Sequence, residues 1–189
     1  MTTGGIFILN TNAGEKFTPM LHYTNISVNE IIPGLWLGNY EASQSQEFLR
    51  IANIGTIINM TKTYPNTFES DSIQYLRVPI NDPGPTNSLN QIDNTQLYEQ
   101  LPFLVEFIHD KLSNNENVLV HCRAGISRSP SLVLAYLLKY IFNNKFSNFK
   151  KMRLKYALRC LLTNRPPVFY YGYKCNFDPA ITQYLSDSN

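Results

Sequence analysis

Asn117-Val118-Leu119-Val120-His121-Cys122-Arg123-Ala124-Gly125-Ile126-Ser127-Arg128-Ser129 leads from a short apolar run into the helix-like stretch Ser131-Leu132-Val133-Leu134-Ala135-Tyr136-Leu137-Leu138. Residues 117–120 read as a buried strand and residues 131–138 as a largely apolar helix. The nine residues between 121 and 129 are therefore a loop from a strand end to a helix start. Backbone N–H groups in the first turn of a helix lack intrahelical partners, and the macrodipole favours an anion there. Cys122 falls at the focus of those donors.

The residue types in this loop fit one kind of chemistry. A thiol beside an arginine at a helix N-terminus ionises more readily than a free cysteine and becomes a nucleophile near neutral pH. Arg128, six positions after the cysteine, carries a planar fork that can hold two oxygens of a tetrahedral phosphoryl group. Gly125 permits the backbone angles that a run of inward-pointing N–H groups requires. Ser129 can donate a hydrogen bond to the sulfur and stabilise it as a leaving group. Pro130 falls in the first helical turn, where its missing N–H costs little. A cysteine alone in such a run would read as an inert buried residue. Here the arginine, glycine and serine stand at the spacing that anion chemistry needs.

Working outward, the chain alternates strands and helices: strand 35–37, helix 41–52, strand 55–60, strand 73–79, helix 96–113, strand 117–121, helix 128–142 and helix 147–163. That order predicts an α/β fold, a central, mostly parallel sheet flanked by helices with the cysteine loop between a strand and a helix. Ligands in such sheets bind at the carboxyl ends of the strands, where this loop lies. One domain is expected over residues 27–189. Residues 1–26, rich in Thr, Asn and Gly, read as an irregular N-terminal extension.

At His121, Cys122, Gly125, Arg128 and Ser129 the chain resembles the dual-specificity phosphatases, within the cysteine-dependent protein tyrosine phosphatase superfamily. Their signature is His-Cys, two residues, Gly, two residues, Arg-Ser. The resemblance continues through Glu30-Ile31-Ile32-Pro33-Gly34-Leu35-Trp36-Leu37-Gly38, similar to the family's opening strand, and Ala135-Tyr136-Leu137-Leu138, similar to its post-loop helix. It spans about residues 27–165. It implies a phosphatase acting on phosphotyrosine and on phosphoserine or phosphothreonine through a phosphocysteine. Cys122, Arg128 and Ser129 are then catalytic, residues Arg123, Ala124, Gly125, Ile126, Ser127 and Arg128 bind the substrate phosphate, and His121 is structural support. A phosphorylated protein is the implied partner, and no metal or organic cofactor is needed.

An alkoxide leaving group needs a proton as its bond to phosphorus breaks, so an acid must reach the loop. Arg77-Val78-Pro79-Ile80-Asn81-Asp82-Pro83-Gly84-Pro85 ends a strand with an aspartate at a Pro-Gly-Pro turn. The family carries its general acid at the matching place, which makes Asp82 the candidate. The alternative is that Asp82 only caps that turn. Asp71 and Asp93, in polar surroundings with no preceding strand, are weaker choices.

The 189 residues, 43% of them apolar, suit one soluble domain with a substantial core. A formal charge of +2 argues against a nucleic-acid partner, which usually meets a marked basic field. Three widely spaced cysteines, Cys122, Cys160 and Cys175, point to reduced thiols inside the cell, cytoplasmic or nuclear, rather than to a disulfide framework. No secretory leader, membrane span or lipid anchor is expected.

Two features stand outside this core reading. Lys151, Lys155 and Arg159 line one face of the helix at 147–163, either as a solvated face or as a docking surface for acidic partners. Phe169-Tyr170-Tyr171-Gly172-Tyr173 is densely aromatic, and Lys174-Cys175-Asn176-Phe177 departs from the family's pattern; packing is the first expectation for these rings and rim contacts with substrate the second. An RNA 5′-phosphatase of the same superfamily, a non-catalytic phospho-binding module and a redox enzyme are the rival functions. The retained cysteine and arginine count against the binding module, and the absence of a second cysteine nearby counts against redox chemistry.

Overall fold

In the computed structural model, residues 25–69, 72–81, 91–143, 150–169 and 177–187 are described. The segment Asn117–His121 is strand β5 of a five-stranded sheet ordered β1-β2-β5-β3-β4. The other strands are β1 Val28–Ile32, β2 Leu35–Gly38, β3 Ile54–Asn59 and β4 Gln74–Arg77. β5 pairs in parallel with β2 on one side and β3 on the other, β4 extends β3 in parallel, and β1 returns antiparallel to β2. A central parallel strand is covered on both faces, which is why this stretch reads as a continuous apolar run.

The two faces nevertheless separate with a period of two. Leu35, Leu37, Ile58, Val118 and Val120 enter one core, and Trp36, Ile57 and Leu119 the other. The larger core lies under helices α3 (Gln91–Ser113), α4 (Arg128–Tyr136), α5 (Lys150–Asn164) and α6 (Asp178–Asp187). The smaller is closed by α1 (Tyr40–Ser43) and α2 (Gln46–Ile51), where the Trp36 and Phe48 rings meet edge to face at 5.4 Å. Every residue of α4 is buried, so its lack of a polar stripe follows from its place at the centre.

The predicted class holds, and several element boundaries change. The expected helix 41–52 is two short helices, because the Ser45 hydroxyl accepts a hydrogen bond from the Phe48 N–H at 3.2 Å and starts a second one. The helix 128–142 becomes α helix to Tyr136 and then a π-helical turn, Leu137–Ile141, closed by Phe142 N–H on Leu137 O at 2.9 Å. β1 and α6 were absent from the expected order. Gly34, with φ at +80°, makes the turn between β1 and β2 after Pro33.

In register, Gly38, His121 and Asn59 stand side by side, and Arg77 stands beside Asn59. The carboxyl ends of four strands thus converge on the segment that begins at Cys122.

Candidate active site

Cys122 follows β5 and is 1% exposed. Its Sγ accepts a hydrogen bond from the Gly125 N–H at 3.3 Å and another from the Ser129 hydroxyl at 3.2 Å. The sulfur is thus the shared acceptor of one backbone and one side-chain donor from its own loop.

The rest of the loop is organised by where its carbonyls go. Arg123 O accepts from Tyr40 N–H at 3.0 Å, and Ile126 O from Phe169 N–H at 2.8 Å. Ala124 O and Gly125 O accept from the Arg165 guanidinium at 3.2 and 3.0 Å. Ser127 O accepts from the Ser131 N–H at 3.1 Å and its hydroxyl at 2.8 Å. No described peptide bond is cis, and in a trans peptide the N–H points opposite to the C=O. Four carbonyls drawn outward from 123 to 126 therefore turn the N–H groups of Ala124, Gly125, Ile126 and Ser127 inward, the arrangement of an anion-binding nest. The Gly125 N–H on Sγ is one instance of this inward set.

Gly125 has φ at +67°, and a Cβ there would lie 2.5 Å from Gly38 O and 2.7 Å from Arg165 Nη2. Only glycine suits both the angle and the space.

Arg128 opens α4 at 7% exposure, and its Nη1 donates to Ile80 O at 3.2 Å. The Ser127 side chain does not cap that helix. Of the other loop residues, Arg123 and Ala124 are exposed and Ile126 and Ser127 half-buried.

His121 is fully buried. Its Nδ1 lies 3.4 Å from Cys122 O, and its Nε2 has no hydrogen-bond partner among the described residues. Burial lowers its pKa to about 4, the Cys122 carbonyl opposes that, and the nearby Arg77 and Arg128 charges add to it. The ring is neutral at pH 7.

Asp82 and Asp71 lie outside the described residues, as does the side chain of Asp93. So do the side chain of Lys151, most of residues 1–26 and the aromatic residues 170–173 with Lys174, Cys175 and Asn176. Phe169, the described member of that aromatic run, is buried in the larger core, as packing predicts. No cluster of three His, Cys, Asp or Glu side chains fit for a metal occurs among the described residues.

Sequence reasoning missed the groups that hold the loop from outside. Tyr40, whose ring lies 4.3 Å from that of Tyr64, carries no motif. Arg165 gives a faint signal: it continues the spacing of the apolar residues Leu154, Leu158 and Leu161, so a charge falls on the buried face of its helix.

Residues 35–166 match the family model for the dual specificity phosphatase catalytic domain. The chain is 41% identical over 111 residues to the dual specificity protein phosphatase Mpk3 of Drosophila melanogaster, covering 58% of this chain and 25% of that protein. It is 31% identical over 150 residues to dual specificity protein phosphatase 16 of Homo sapiens, covering 79% of this chain and 20% of that protein. The chain thus spans about a quarter or less of the length of these relatives. Among solved structures, a mouse putative dual specificity phosphatase complexed with zinc tungstate superposes with a TM-score of 0.67 at 21% identity, covering 90% of this chain and 92% of that one. The sheet order, the cysteine loop and these matches together assign the chain to the dual specificity phosphatase family.

Proposed function

We propose that this chain is a cysteine-dependent phosphatase that hydrolyses phosphotyrosine and phosphoserine or phosphothreonine monoesters of proteins. The observation that carries this is the Cys122 sulfur at the base of a loop whose carbonyls are drawn outward, with donors from Gly125 and Ser129 on the sulfur itself. The mouse structure's tungstate is a tetrahedral oxyanion, the shape this loop suits.

In the proposed first step, Sγ attacks phosphorus and the bond to the leaving oxygen breaks. Asp82 delivers its proton to that oxygen. The inward N–H groups and the Arg128 fork hold the equatorial oxygens, the preorganised electrostatics that usually supplies the largest catalytic term. In the second step a water attacks phosphorus, the P–S bond breaks, Asp82 takes the water's proton, and inorganic phosphate leaves. The Ser129 hydroxyl, 3.2 Å from Sγ, stabilises the departing thiolate. His121, neutral and buried, orders the loop and moves no proton.

Ile80, two residues before Asp82, touches Arg128 through its carbonyl, which supports the assignment of Asp82 as acid. The catalytic unit is residues 27–189, with 1–26 as its extension. Cys122 and Cys160 are both free thiols, in keeping with a reducing intracellular setting, cytoplasmic or nuclear.

Cys122→Ser tests this. Turnover of p-nitrophenyl phosphate is expected to vanish while the thermal melting profile stays that of the wild type; retained turnover would overturn the mechanism. Phosphotyrosine and phosphothreonine peptides are both expected to be hydrolysed by the wild type, and a 5′-triphosphate RNA is not.

A further inference from the structure

One buried cation beside the loop is not used by the mechanism above. Arg165, directly after α5, is 1% exposed. Its Nε donates to Gly125 O at 3.0 Å, its Nη2 to Ala124 O at 3.2 Å and its Nη1 to Asn29 Oδ1 of β1 at 3.0 Å. All three acceptors are neutral amide oxygens. A guanidinium taken out of water onto neutral groups alone is costly, and a nearby negative charge offsets that cost.

We propose that Arg165 is a positioning residue for the Cys122 loop: it holds the Ala124 and Gly125 carbonyls away from the phosphate, and it is the buried counter-charge of the thiolate. This rests on Cys122 being the nucleophile. The 124–125 peptide carries the argument for position. Its carbonyl is on Arg165 and its N–H is on the Cys122 sulfur, so one guanidinium fixes the direction of a donor to the reacting atom. The 125–126 peptide is fixed in the same way through Gly125 O. Released from Arg165, either peptide could turn an oxygen toward the anion.

The charge of Cys122 also reaches Arg165. Burial lowers the Arg165 pKa to about 10, and the charge of Cys122 acts to raise it. The guanidinium and the sulfur sit at opposite ends of the same 124–125 peptide, whose carbonyl is on the one and whose N–H is on the other. Among the described residues, the other titratable or charged groups at the loop are His121 from β5, neutral at pH 7, Arg128 from α4, the exposed Arg123 of the loop itself and, beside His121, Arg77 from β4; Asp82, the proposed acid, lies outside the described residues. The proposed mechanism assigns Arg128 to the substrate oxygens, whereas Arg165 is the buried cation on the carbonyl side of the loop.

The test compares wild type, Arg165→Met, Arg165→Lys and Asn29→Ala, following iodoacetamide alkylation of Cys122 by peptide mass spectrometry with and without inorganic phosphate. At about pH 6, Arg165→Met is expected to alkylate roughly tenfold more slowly than wild type, and at about pH 9 at a similar rate. Arg165→Lys keeps the charge and is expected to restore alkylation at the lower pH. It loses the fork, so protection by phosphate weakens by about tenfold.

An Arg165→Met rate equal to wild type at the lower pH, or slowed equally at both, would overturn the proposal, the second because it marks a purely structural role. Should Arg165→Met not fold, Asn29→Ala keeps the cation but loosens its aim; phosphate protection is expected to weaken, and unchanged protection overturns the proposal. Turnover of p-nitrophenyl phosphate separates the two ideas. A wild type that alkylates slowly at about pH 6 and hydrolyses nothing overturns the nucleophile assignment along with this one. An active wild type with an unaffected Arg165→Met overturns the Arg165 assignment alone.

Discussion

His121 carries the sharpest consequence at the scale of one residue. Its imidazole is buried, with Nδ1 3.4 Å from Cys122 O, and burial brings its pKa from the ordinary 6.5 down to about 4. In the unfolded chain the ring takes a proton as pH falls through about 6.5, while in the fold it stays neutral until about 4. Between those values the unfolded state binds more protons, so stability falls as the solution is acidified and the loss is complete below the lower one. By pH 5 the cost is about 2 kcal/mol. Urea unfolding at pH 7 and pH 5 is expected to show the wild type losing about that much more than His121→Gln; identical losses would contradict a buried neutral imidazole.

Among elements, β5 and α4 were legible from the sequence because both are covered on all sides and so carry the unbroken apolar runs Val118-Leu119-Val120 and Leu132-Val133-Leu134-Ala135. β1 was not. Its pairing with β2 shifts register between Glu30 and Ile32, so Val28-Asn29-Glu30-Ile31-Ile32 buries only Val28 and Ile31 and lacks the period-two pattern. The split between α1 and α2 was hidden because Ala42, Phe48, Leu49 and Ala52 also suit one continuous helix, and the break is made by a single serine cap. In the site, Cys122, Gly125, Arg128 and Ser129 could be read locally, since their geometry is set within one loop. Arg165 could not, since its role depends on contacts 40 and 41 residues away in sequence. The position of β5 at the centre also predicts a separation of stability from chemistry. Leu119 is fully buried in the smaller core. Leu119→Ala is expected to cost about 2–5 kcal/mol in urea unfolding, with kcat per folded molecule unchanged. A smaller loss would contradict the packing described for that face.

For the whole molecule, the sheet and its helices serve to bring distant segments to one edge. Tyr40 after β2, Ile80 beyond β4, and Arg165 and Phe169 after α5 all meet the nine-residue loop at the end of β5. No helix among the described residues is long and apolar enough to cross a membrane. A loop held from four directions can keep its N–H groups aimed inward before any phosphate arrives, which is the preorganisation that catalysis by a thiolate requires. The central claim is that this thiolate forms a bond to phosphorus. Acid quenching of the wild-type protein during the first turnover of p-nitrophenyl phosphate, followed by peptide mass mapping, tests it most directly. The expected result is phosphate on Cys122 in step with an initial burst of p-nitrophenol; steady hydrolysis with no burst and no phosphate on Cys122, or phosphate on another residue, would contradict the account.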